Sequence, residues 1–191
     1  MKKLVVGLLL VVLVVLAVGC GSAATEDATS PSASPSPSPT VLTDADLLTQ
    51  FLADVKPVRV RYHRLSNQLD HLIWTDAHKT ADSSWPPVGR KMWKLLPKYD
   101  GIMVDLQLID TPDFMRPAMK NLLTCLRRES AMYDSIAGWM RYKEGWGAGS
   151  ANGQRYEKMR AAWGEASDAW RIKVKLEAKR YGVRIPWKWT N

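Results

Sequence analysis

Histidine occurs at three positions, His63, His71 and His78, and these are the first residues whose type and spacing suggest chemistry. Steps of eight and seven bring all three to roughly one face of a continuous helix, because each residue turns ~100°. At ~1.5 Å rise, neighbours stand about 12 and 10 Å apart along the axis. One helix therefore cannot supply two of them to the same ion, and a site would need a carboxylate or methionine from a neighbouring helix. Glu-x-x-His, His-Glu-x-x-His and Cys-x-x-Cys-His are absent from the sequence. That excludes di-iron carboxylate, zincin and c-type haem readings.

Glu129 is the second candidate. It falls between Leu126 and Tyr133, where the apolar stripe demands an apolar residue. A buried carboxylate there needs a partner, from His63, His71, a Trp indole N–H or an Arg, because an unpaired one costs several kcal/mol. It would then be a ligand or an acid–base group with a raised pKa. The alternative is a stripe that drifts and leaves Glu129 at the bundle edge in a surface ion pair. The edge is the expectation here. Cys125 lies beside Leu122 and Leu126 and reads as a buried small hydrophobe. No nucleophile–base pairing is visible, so the sequence points away from an enzyme. Met115 and Met119 are four apart, as soft copper ligands would be, but with Met140 they fall on the core stripe and read as packing. No cofactor is expected.

Charge is unevenly placed. Of the formal +8, the stretch 155–191 carries +6, from ten Lys/Arg and four Asp/Glu. Arg171, Lys175 and Lys179 step by four along one side of the last helix. With the tail residues Trp187 and Trp189 they form a candidate contact for an anionic partner. In the tail, Ile185, Trp187 and Trp189 alternate onto one side. Indoles of this kind favour membrane interfaces and stack on sugars or cations, but a tail that folds back over the bundle is the plainer expectation.

The elements that must position these residues are helical. From Leu42 onward the apolar period is near 3.6, with almost no strand alternation. Thr43 with Asp46 predicts a capped start. The stripe Phe51, Val55, Val58, Tyr62, Leu65, Leu69, Leu72 predicts a first helix to about His78, with a kink or short break at Pro57. Ser84-Trp85-Pro86-Pro87 opens a second helix, with Pro97 inside it. Asp110-Thr111-Pro112 ends that helix and caps a third, through Met140. Four glycines between Gly145 and Gly153 break the chain before a fourth helix over 154–181, capped by Gly182. Its inward face is Tyr156, Met159, Trp163, Ala166, Trp170 and Val174. The fold class predicted is all-α, an antiparallel up-down-up-down four-helix bundle.

Length and composition agree. The chain has 191 residues, 46% apolar and 24% charged, with nine Trp against two Phe and only two Cys. That is one basic, Trp-rich domain, not a disulfide framework, a zinc module or a polytopic membrane protein.

The N-terminus gives an address. Lys2 and Lys3 precede the apolar run Leu4 to Val18, which spans roughly 22 Å as a helix, short of a ~30 Å hydrocarbon core. Ala17-Val18-Gly19 leads directly into Cys20. This resembles the lipobox of bacterial lipoproteins, although Ala17 stands where leucine is commonest. The resemblance implies cleavage of 1–19 and a diacylglycerol on the Cys20 thiol, hence a protein held at the extracytoplasmic face of the cell membrane. Residues 20–41 form a disordered linker rich in Ser and Pro, similar to the spacers of Gram-positive, actinobacterial-type envelope lipoproteins. Its polyproline-like geometry gives ~3.1 Å per residue. Residues 42–191 are the helical domain. The expected partners are the membrane through Cys20 and anionic lipid, a wall polymer or an envelope protein; nucleic acid is not expected. The leading functional expectation is a non-catalytic interaction module of the envelope. Its alternative is a small-ligand or metal carrier with a site inside the bundle at His63, His71 and Glu129.

Overall fold

A computed structural model of the chain describes residues 41–77, 85–147 and 149–189. The leader, Cys20, the linker up to 40 and His78 lie outside the described residues. Thr43 starts helix α1 (Asp44–His71) by a reciprocal cap: its Oγ1 accepts from the Asp46 N–H at 3.2 Å, while its own N–H donates to the Asp46 carboxylate at 3.0 Å. Pro57 does not interrupt α1. Its missing N–H and its ring together cost ~3 kcal/mol in a helix interior, but Phe51, Leu52, Val55 and Val58 bury on either side and hold the backbone helical. A π-helical turn, Leu72–Ala77, follows.

The second predicted helix is two. Helix α2 (Trp85–Leu95) and helix α3 (Pro97–Gln107) are separated at Leu96. Here Pro97 has no N–H to give and its ring excludes the carbonyl four residues back, so it becomes the first residue of a new helix. A 3₁₀ turn (Asp113–Met115) leads into helix α4 (Arg116–Arg141). The expected side-chain cap at Asp110-Thr111 is not made: the Thr111 hydroxyl donates to the Ile109 carbonyl instead. Helix α5 (Ala151–Tyr181) begins three residues before the predicted Gln154, because Ser150 accepts from the Gly153 N–H at 2.9 Å. It stops at Gly182, whose φ of 67° is the left-handed cap expected of glycine.

All described regular structure is helical, and the fold is an all-α bundle with α4 packed against α2, α3 and α5. Contacts give the relative directions. Tyr62, Ser66 and Asp70 of α1 meet Cys125, Glu129 and Tyr133 of α4 in turn, so these helices run parallel. Gly89 of α2 lies on Ala137 and Arg141 of α4 and Trp93 on Asp134, so those run opposite. The core is closed by Leu48, Phe51, Met92, Tyr99, Leu126 and Met140, with Met115 and Cys125 also buried. Among the described residues no helix is long and apolar enough to cross a membrane.

The α2–α4 contact is close because Gly89 has no side chain. A Cβ there would stand 2.6 Å from the Ala137 carbonyl oxygen and 3.1 Å from the Arg141 nitrogen, both backbone atoms. Gly89→Ala must push the helices apart and is expected to lose about 1–3 kcal/mol, despite the better helix propensity of alanine. Denaturant unfolding checks this; an unchanged or raised midpoint would show that the contact yields freely.

Candidate functional site: a polar cavity between α1, α4 and α5

Glu129 is buried, 1% exposed, in the middle of α4. The edge position expected from the stripe is wrong. The α4 face that is buried is broader than one stripe, because α2, α3 and α5 pack on this helix and α1 reaches it through side chains, and it takes in Glu129 with Leu126, Met132 and Tyr133. No histidine is its partner either. Its Oε1 accepts from the Ser66 hydroxyl at 2.9 Å. Ser66 lies 3.4 Å from the Tyr133 hydroxyl, which donates to Asp70 at 2.7 Å. Oε2 has no hydrogen-bond partner.

The environment sets the proton. Burial pushes the Glu129 carboxyl up to about 7; the hydroxyls of Tyr62, Ser66 and Tyr99 favour the anion and only partly offset it, and Asp70 adds to the rise. Burial, with the same carboxyl nearby, also pushes the Cys125 thiol up to about 12, which keeps it protonated and inert at neutral pH. Tyr62, Tyr99 and Tyr133 are all raised for the same two reasons.

A cavity of about 200 Å³ opens beside this seam. Arg59 and His63 of α1, Cys125 and Glu129 of α4, Trp163, Ser167, Trp170 and Arg171 of α5, and Trp189 of the tail contribute to its wall. Among the described residues eight buried side-chain N or O atoms lack a hydrogen-bond partner, and five belong to this wall: His63 Nε2, Glu129 Oε2 and the indole nitrogens of Trp163, Trp170 and Trp189. Each such orphan costs about 1–3 kcal/mol, and native interiors hold few of them. Their concentration around one cavity makes it the candidate site for a polar ligand.

No family model, curated protein or solved structure matches this chain. The site therefore has to be read from its own residues.

The structure brings together two groups of residues that the sequence kept apart. His63 and Glu129 share the cavity with Arg171, a candidate for an outward contact, and with Trp189, whose tail folds back as the plainer expectation had it. His71 does not reach this cavity: its side chain is 65% exposed and lies 3.9 Å from Asp76, and it shares with His63 the wall of a separate open groove. Arg171 pairs with Asp168 at 2.7 Å. Trp187 and Trp189 fold back, edge to face, over the Arg59 guanidinium, which lies 5.1 and 4.8 Å from their ring centres. Lys175 lies 6.0 Å from the Trp189 ring, and Lys175 and Lys179 are exposed. Among the described residues no three His, Cys, Asp or Glu side chains gather as metal ligands would.

Sequence reasoning missed Arg59, Ser66, Asp70 and Tyr99 as site residues. Tyr62, Tyr99 and Tyr133 gave a usable signal, since all three place a hydroxyl on a core stripe, where a buried phenol needs company. Arg59 gave none.

The raised Glu129 pKa has a consequence for stability. Below pH 4.5 the carboxyl is neutral in folded and unfolded chains alike. Above it the unfolded chain releases the proton while the folded chain holds it to about 7, so stability falls across that window and then levels off. Glu129→Gln removes the loss. Its advantage over the parent is expected to grow from nothing at the lower end to roughly 3 kcal/mol above 7. Denaturant unfolding of both proteins across this range checks it; a gap that stays constant would show that the carboxyl does not titrate there.

Proposed function

We propose that this chain is an extracytoplasmic lipoprotein, tethered to the cell membrane by lipid on Cys20, whose helical domain binds a small ligand without transforming it. The observation that carries the binding role is the set of five unpartnered polar atoms in the wall of one cavity. The address rests on the leader and on Cys20. The Cys125 thiol, held protonated at neutral pH, supports a binding role over a thiol-based catalytic one.

A second reading rests on α5. Lys175 and Lys179 stay exposed beside Ile172 and Leu176, a mixed basic and apolar face suited to anionic lipid or wall polymer. The two readings part on one pair of variants. The full chain is purified from its host membrane, denatured, and the released small molecules identified by mass spectrometry. The parent and a Lys175→Glu/Lys179→Glu variant are expected to carry the same compound. Ser167→Phe, which fills the cavity, is expected to lose it while unfolding at a similar temperature. A compound lost from the charge-reversed variant but kept in Ser167→Phe would favour the outer face, and none in any protein would remove the carrier reading.

A further inference from the structure

Arg59 identifies the kind of ligand. This inference rests on the cavity being a binding site and adds what the site selects. Arg59 is half-buried on α1, and among the described residues no Asp or Glu stands within 4.0 Å of its guanidinium. The other arginine of the wall, Arg171, does have a carboxylate, Asp168. What Arg59 has instead is the faces of Trp187 and Trp189. Indole faces attract a cation but leave its five N–H donors and its charge uncompensated. Burial accordingly holds Arg59 below the usual guanidinium range, and holds His63 below the usual imidazole range with Arg59 as second cause.

The rest of the wall is donor-rich. Trp163, Trp170 and Trp189 can only donate through their indole nitrogens, and none has found an acceptor. The single carboxyl in the wall, Glu129, stays protonated up to about 7 and so offers little negative charge below it. Such a wall complements acceptor oxygens carrying negative charge. Its indole rings complement an apolar body better than a hydrated inorganic ion.

We propose that the cavity binds a small organic carboxylate, with Arg59 as its counter-charge and the indole N–H groups of Trp163, Trp170 and Trp189 as donors to its oxygens. Affinity then falls as pH rises through the Glu129 transition, because a second carboxylate appears in the wall. The groups facing Glu129 are Tyr62, Ser66 and Asp70 of α1, Tyr99 of α3, and Cys125 and Tyr133 of α4, while Tyr156, Glu157 and Arg160 of α5 share a second cavity with it. Arg171, paired outside the wall with Asp168, faces the cavity from α5. Loss of any proton from His63 acts in the same direction.

The test is calorimetric titration of the detergent-solubilised full chain with phenylacetate, its neutral isostere phenylacetamide, and inorganic phosphate. Phenylacetate is expected to bind with one-to-one saturation, and the amide and phosphate at least about tenfold more weakly. Arg59→Gln is expected to lose at least about tenfold for phenylacetate, the value of a charge-assisted contact. Arg59→Lys should recover part of that loss, which a purely structural role for the stacked guanidinium would not produce. Thermal unfolding of each variant shows whether it is folded. Glu129→Gln should bind phenylacetate with a flatter pH dependence than the parent. Equal binding of the amide, equal binding of phosphate, or an unchanged affinity in Arg59→Gln overturns the carboxylate proposal. If the compound released from the native chain still depends on Ser167, the cavity reading survives that failure. If phenylacetate does not bind and Ser167→Phe retains the native compound, both fall.

Discussion

A carboxyl group taken out of water in the centre of a helical core constrains everything packed around it. Glu129 needs a hydroxyl partner on the facing helix, and Ser66 supplies one. Ser66 in turn lies beside Tyr133, and Tyr133 reaches Asp70. The seam between α1 and α4 is therefore a chain of hydroxyl and carboxyl groups where a hydrocarbon interface would have been simpler. Such a network is worth keeping only when its members are satisfied together. Here Ser66 satisfies one oxygen of Glu129 and the other is left without a partner.

Tryptophan does the work that phenylalanine does in most cores. An indole is large enough to close a bundle with few residues, and its N–H gives a polar point in an apolar surface. Trp139 and Trp170 are buried in the core, and Trp163, Trp170 and Trp189 line the polar cavity. Trp170 shows both uses: it packs edge-on against Phe51 at 6.4 Å and contributes an unpartnered N–H to the wall. Trp187 and Trp189 close the tail onto α1 through Arg59, so a guanidinium holds in place a segment that has no regular structure of its own.

The fold class was legible because helical periodicity survives almost unbroken from Leu42 onward, and the caps at Thr43 and Gly182 announce themselves by residue type. The two prolines show where local reading stops. Pro57 and Pro97 look alike in sequence, yet one sits in an intact helix and the other begins a new one. The difference lies in what packs on each flank, which is tertiary information. Glu129 was legible as an anomaly but not as a buried one, because the stripe rule assumes a helix with a wet side. Most of α4 has buried neighbours around it. His71 was misplaced for the opposite reason: sharing a helix face with His63 says nothing about where a neighbouring helix ends.

Among the described residues, three of the four α1–α4 side-chain contacts share one sequence offset, 63 residues, at successive turns of both helices. That regularity makes the seam a register key. Sliding α4 by one turn, ~5.4 Å, in one direction would set Glu129 against Asp70, two carboxyls face to face. Sliding it the other way would leave Asp70 opposite Ala137, with no hydroxyl to receive. An apolar seam tolerates such slips, since one leucine serves much like the next. Polar groups at an interface can fix register at a cost in stability, and this chain spends its buried carboxyl in that way as well as on the cavity wall.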